Sequence, residues 1–305
     1  MPQSRRHQLL AWAVPRMRRS QEQLSPDAER ERIEQLHAGQ EPSLPTNAVR
    51  GFDKRYSVVT EMVPSDAGAF ASYVVTPRHR DPRRTVLYLH GGAYVAGIDA
   101  FHVRYLARLA TELDARVVVP AYPLAPEHTW RDSHDAVADL AARWATESDE
   151  LVLAGDSAGG GYALAVALTL RDRGGPQAGR LLLISPWVDL TSSAPETAEF
   201  AARDPWLHLG KLETYAAWWA GSPDDLGRPE VSPALGDLSG LPPTLMFCGT
   251  RDVLAPGCRL LERRAASTDW DLTYVEVADL IHVYPLLPLV PEAEDAWART
   301  REFLA

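Results

Sequence analysis

The chain has 305 residues, 46% hydrophobic and 24% charged, with a formal net charge of −10. This suits one large α/β domain or two small ones with a sizeable core. The acidic balance excludes nucleic acid as the main partner, because phosphate binding needs a basic surface. The two cysteines, Cys248 and Cys258, provide neither a disulfide framework nor metal-ligand spacing.

Residues 1–50 read as helical and arginine-rich, with apolar anchors at Leu9, Leu10, Trp12, Met17, Leu24, Ile33 and Leu36. Ser4-Arg5-Arg6 superficially resembles a twin-arginine export signal. However, the apolar stretch Leu9–Val14 stops at Pro15 and basic residues, and no small-residue cleavage site follows. A cytoplasmic location is therefore expected. No segment approaches the roughly 18 apolar residues of a membrane span. Ser25-Pro26-Asp27-Ala28-Glu29 has the N-cap serine, N1 proline and early acids of a helix start.

Beyond residue 50 the pattern changes. Tyr56–Val63 and Ala69–Thr76 show β-type patterning, and Thr85–Leu89 and Arg116–Pro120 read as buried parallel strands. A helix is predicted between them, over Phe101–Leu113, and another over Ser133–Thr146. A strand at Leu151–Ala154 leads into a helix over Ser157–Arg173, closed by Gly174-Gly175. Strands are predicted at Leu181–Ile184, Thr244–Cys248 and Leu272–Val277, and a last helix over Pro291–Phe303. This alternation predicts an α/β fold: a mostly parallel sheet with helices on both faces. Residues 190–232, rich in tryptophan and proline, interrupt it. They read as an insertion, with Asp204-Pro205-Trp206 as a helix start. Residues 1–50 and 190–232 together are expected to form a cap over a catalytic domain spanning 51–305, enclosing an apolar pocket.

Gly155-Asp156-Ser157-Ala158-Gly159 fits Gly-x-Ser-x-Gly between a strand and a helix, the context of a nucleophile elbow. Side chains at Gly155 or Gly159 would strike neighbouring backbone in so tight a turn. A serine hydroxyl needs a base, and the base an acid to orient it, in the chain order serine, acid, histidine. His208 and His282 are the histidines after Ser157. His208 falls in the insertion, whereas His282 follows a strand by a short loop and is the expected base. Asp252, after the strand Thr244–Cys248, is the expected acid. Asp279 is its rival but lies too near His282 in sequence to reach the far ring nitrogen, and Asp156 suits hydrogen bonding within the turn. His90-Gly91-Gly92-Ala93-Tyr94 follows an early strand. Backbone N–H groups among Gly91, Gly92 and Ala93, with that of Ala158, are the candidate oxyanion donors, and the sequence leaves open which of the three loop residues donate. His90 is expected to brace this loop. His7, His37, His79, His102, His128 and His134 are expected on the surface or in loops, with no metal-ligand spacing.

These motifs, with Tyr122-Pro123-Leu124-Ala125-Pro126-Glu127-His128, Gly160 and Ser185-Pro186-Trp187, resemble those of the hormone-sensitive-lipase family of α/β-hydrolases, in the family's order over residues 85–285. The resemblance implies carboxylester hydrolysis without a cofactor, a small-molecule ester as substrate, and Ser157, Asp252 and His282 as the triad. It departs from the family's pattern at Ala93 and Asp279, where glycine is common, and at Val283-Tyr284-Pro285 in place of Gly-Phe. Short- to medium-chain or bulky small esters are expected. The same triad would serve a lactone, an amide or acyl transfer to an alcohol, and a hydrolase fold that only binds small molecules is the alternative from another class. The final helix and the sheet edge are where a homodimer would form.

Overall fold

A computed structural model describes residues 3–17, 25–39 and 43–305. The anchor predicted at Leu24 lies outside them. The first part comprises α1 (Arg5–Met17), α2 (Pro26–Ala38), α3 (Phe52–Arg55), β1 (Tyr56–Ser65), β2 (Gly68–Pro77) and β3 (Arg84–Leu89). Next come α4 (Ala100–Glu112), β4 (Ala115–Pro120), α5 (His134–Glu147), β5 (Glu150–Asp156), α6 (Ser157–Arg173) and β6 (Arg180–Ile184). The chain ends with α7 (Thr197–Arg203), α8 (Leu209–Ala220), β7 (Thr244–Arg251), α9 (Ala255–Ala265), β8 (Leu272–Ile281) and α10 (Pro291–Phe303).

The eight strands form one sheet in the order β1-β2-β4-β3-β5-β6-β7-β8. β1 and β2 pair antiparallel, as do β2 and β4, and every other pair is parallel. Successive strand side chains point to opposite faces. In β5, Leu151 and Leu153 pack with α5, α6 and α8, whereas Val152 and Ala154 pack with α1, α4 and α10. Both faces are therefore covered, which is why β3, β5 and β6 read as nearly unbroken apolar runs. No helix among the described residues is long and apolar enough to cross a membrane.

The segment between β6 and β7 holds α7 and α8, but Asp204-Pro205-Trp206 does not start a helix. Asp204 closes α7, and α8 begins at Leu209. The Asp204 carboxylate accepts the backbone N–H groups of Trp206 (2.7 Å) and Leu207 (3.0 Å), so its capping chemistry is spent on a turn. β8 also runs further than its β-rich segment suggested. A bulge near Gly249 and Arg251 lets pairing resume at Ile281, directly before His282.

Candidate active site

β5 delivers Ser157 at the carboxyl end of the sheet, where α6 begins. Ser157 has φ 54°, a left-handed conformation that a serine adopts only when its surroundings impose it. The close approach explains the flanking glycines. A Cβ on Gly159 would lie 2.0 Å from the Leu89 carbonyl oxygen, and one on Gly155 would lie 2.4 Å from that of Gly159. Gly159→Ala is expected to cost about 3 kcal/mol or more, because rigid backbone must move. A denaturant midpoint at the wild-type value would show that the elbow has slack.

Ser157, His282 and Asp252 come together from three strand ends. Ser157 Oγ lies 2.9 Å from His282 Nε2, and His282 Nδ1 lies 2.8 Å from Asp252 Oδ2. The carboxylate fixes the proton on Nδ1 and leaves Nε2 to accept from the serine hydroxyl. All three residues are buried. Asp252 Oδ1 also accepts the Leu254 N–H at 3.0 Å. After His282, Val283 takes φ 48°, strained for a β-branched residue, with its N–H donated to Ser185 Oγ at 3.0 Å. Glycine would meet this conformation without strain, and glycine is the residue expected there from the family pattern. Asp279 is exposed at φ 64°, in a bulge, and its N–H donates to Thr250 Oγ1.

Gly91 is corrected as an oxyanion donor. Its N–H donates to Asp156 Oδ1 at 3.0 Å, which removes it from the set. Gly92 and Ala93 line the cavity with Ser157, at φ 119° and 54°. Ala158 is the first residue after the nucleophile on α6. Asp156 Oδ1 also accepts from the Tyr88 hydroxyl at 2.7 Å and lies 3.3 Å from His102 Nε2. Burial alone would raise the Asp156 carboxyl; His102, Tyr88 and the Gly91 N–H outweigh it and hold it below its ordinary value. Asp156 thus anchors the loop as an anion. His90 stacks on Tyr122 with ring centroids 4.4 Å apart, and the Tyr122 hydroxyl donates to the His90 carbonyl at 2.7 Å. Burial, then His102, push His90 down to about 4, so it stays neutral near pH 7.

Three histidines expected at the surface are buried. His102 pairs with Asp156, and His134 contacts Thr169 Oγ1 at 2.7 Å. His7 Nε2 accepts the Ile281 N–H at 3.2 Å, so α1 braces the strand end that carries His282. Burial is the largest influence on His7 and lowers it, as suits this acceptor role. Its signal in the sequence is the stripe His7, Ala11 and Val14, spaced as one helix face.

Asp204 is a residue of the site that the pattern did not single out. Its Oδ2 accepts the Val253 N–H at 2.8 Å, beside the acid Asp252. Burial and the Asp252 charge push Asp204 up to about 6. The turn it holds sets Trp206 edge-on to the His282 ring, with centroids 5.5 Å apart. Burial alone would lower His282; Asp252, then Asp204 and Asp156, outweigh it and raise the imidazole above 6.5. A neutral imidazole is needed as base, so activity should fall as the pH drops through a midpoint above 6.5. Asp204→Asn is expected to move that midpoint down, read from kcat/KM against pH. An unmoved midpoint would show that Asp204 does not act on His282.

The triad opens into a cavity of about 1380 Å³. Ile33 and Leu36 of α2 line it, with Trp206, Leu212 and Tyr215 of the insertion and Phe70 of β2. Among the described residues, the lining also includes Met62 and Leu36, 62% and 41% exposed. Among the described residues no three His, Cys, Asp or Glu side chains are grouped to hold a metal ion.

A family model described as the alpha/beta hydrolase fold matches residues 86–286. An acetyl-hydrolase of Streptomyces hygroscopicus is 36% identical over 228 residues, 73% of this chain and 75% of its own length. The crystal structure of an esterase from the bacterial hormone-sensitive lipase family superposes with TM-score 0.77 at 27% identity, covering 100% of this chain and 98% of that one. The crystal structure of EstE5, soaked with p-nitrophenyl butyrate, gives TM-score 0.77 at 28% identity, covering 98% of this chain and 95% of that one.

Proposed function

This chain belongs to the α/β-hydrolase family, in its hormone-sensitive-lipase branch of ester-hydrolysing enzymes, and on that premise we propose that it works by two-step acyl transfer from Ser157. The reading rests on the unbroken hydrogen-bonded series Ser157–His282–Asp252 at the cavity floor. Ser157 Oγ attacks the ester carbonyl carbon as His282 Nε2 takes its proton. The oxyanion is stabilised by the N–H groups of Gly92, Ala93 and Ala158. His282 then gives the proton to the departing alcohol, and an acyl-serine ester remains. Water, deprotonated by His282, attacks that ester, and its collapse frees the acid and restores Ser157. Asp252 keeps the imidazole in register and stabilises the imidazolium.

Residues 1–50 and 190–232 act in this reading as the cap. Support comes from α2 and α8, which line the cavity from both parts and meet where the Tyr215 hydroxyl donates to Glu29. The apolar walls suit short- to medium-chain or bulky small esters. Nitrophenyl esters from acetyl to dodecanoyl test this. Hydrolysis should peak below the long chains; no hydrolysis of any ester, or a maximum at dodecanoyl, would contradict it.

A further inference from the structure

The cavity carries charge that acyl transfer does not use. Lys211, in the first turn of α8, lines it with a side chain only 17% exposed. Its ammonium stands 3.9 Å from Glu29 Oε1, beyond hydrogen-bonding range. That oxygen already accepts from Arg32 Nη2 at 2.7 Å and from the Tyr215 hydroxyl, while Oε2 takes Arg32 Nε at 3.0 Å. Arg32, first, then Tyr215 hold the Glu29 carboxyl below its ordinary value, so it is an anion committed to Arg32. Two cations, Arg32 and Lys211, thus share one carboxylate, and the group sums to one positive charge.

A half-enclosed ammonium with no close acceptor among the described residues is costly unless something else pairs with it. Among the described residues, the acids that line the same cavity are engaged elsewhere. Asp156 anchors the oxyanion loop, Asp99 caps α4, and Glu127 lies 2.8 Å from His37 Nδ1. The protein as a whole carries −10, which repels anions, so a positive spot inside the cavity is a local inversion of the field. One positive charge matches a carboxylate better than a phosphate monoester, which carries roughly −1.5 to −2 at pH 7.

We propose that Lys211, backed by Arg32, binds a carboxylate carried by the ester substrate, away from its scissile carbonyl. This names a substrate class for the proposed ester hydrolase and rests on that reading. Binding to the Ser157→Ala protein tests it without turnover, by calorimetry with two isomeric probes. Monomethyl adipate carries the carboxylate on the acyl side, and 5-acetoxypentanoate carries it on the alcohol side. At least one should bind, with affinity about tenfold or more lower after Lys211→Met and restored by Lys211→Arg. Added salt should weaken the same probe while Lys211 is present. Binding of neither probe, or an affinity that Lys211→Met and salt leave alone, would overturn the proposal. Ester turnover is read separately with the neutral nitrophenyl series, so either claim can fail without the other.

Discussion

Ser157→Ala is expected to lower kcat by about a million-fold on any ester the wild type turns over, with little change in stability. The size follows from what is lost. No other hydroxyl stands within hydrogen-bonding distance of His282 Nε2 among the described residues, and the backbone turn that presents the side chain is retained. The remaining donors can still polarise a carbonyl and let water attack slowly, which leaves a small residual rate. Alanine accepts the left-handed backbone of this position about as well as serine, so the elbow stays folded. A variant that kept a hundredth or more of wild-type kcat would show that chemistry starts elsewhere in the cavity.

Asp252→Asn is expected to lower kcat by about ten-thousand-fold near neutral pH. The carboxylate accepts from His282 Nδ1 at 2.8 Å. An amide there can turn its NH2 toward the ring, which forces the proton onto Nε2 and leaves the serine without an acceptor. Asp252 is fully buried and Asp279 exposed, so Asp279→Asn should keep wild-type activity. Loss of activity in the Asp279 variant, with Asp252→Asn active, would transfer the acid's role. The fall in the Asp252 variant should also be accompanied by a lower acidic midpoint, since Asp252 is the main group that raises His282 against the effect of burial.

The parallel sheet was legible because its strands are buried on both faces and so lose the polar alternation that surface strands keep. The nucleophile was legible because the elbow constrains five consecutive residues. His282 and Asp252 followed from chain order and strand ends. Interactions closed over long sequence separations were not readable. Nothing local marks the Gly91 N–H as a donor to Asp156, 65 residues away, or His7 as a brace for Ile281, 274 residues away. Asp204-Pro205-Trp206 misled because the chemistry that caps a helix also closes a turn, and only the packing of Val253 against it decides between them. α9 was not among the predicted elements, although proline fits a helix's first positions and Cys258, Leu261 and Ala265 form its buried stripe.

The central claim is that Ser157 is a nucleophile activated by His282. It is tested most directly by treating the wild type and His282→Ala with a fluorophosphonate and reading intact mass and the labelled peptide. Attack of Ser157 Oγ on phosphorus expels fluoride and leaves one phosphonyl group per chain. The account predicts a single adduct on the peptide that contains Ser157, formed in the wild type and slowed by orders of magnitude in His282→Ala. An adduct on another residue, or labelling of Ser157 at the same rate without His282, would contradict it.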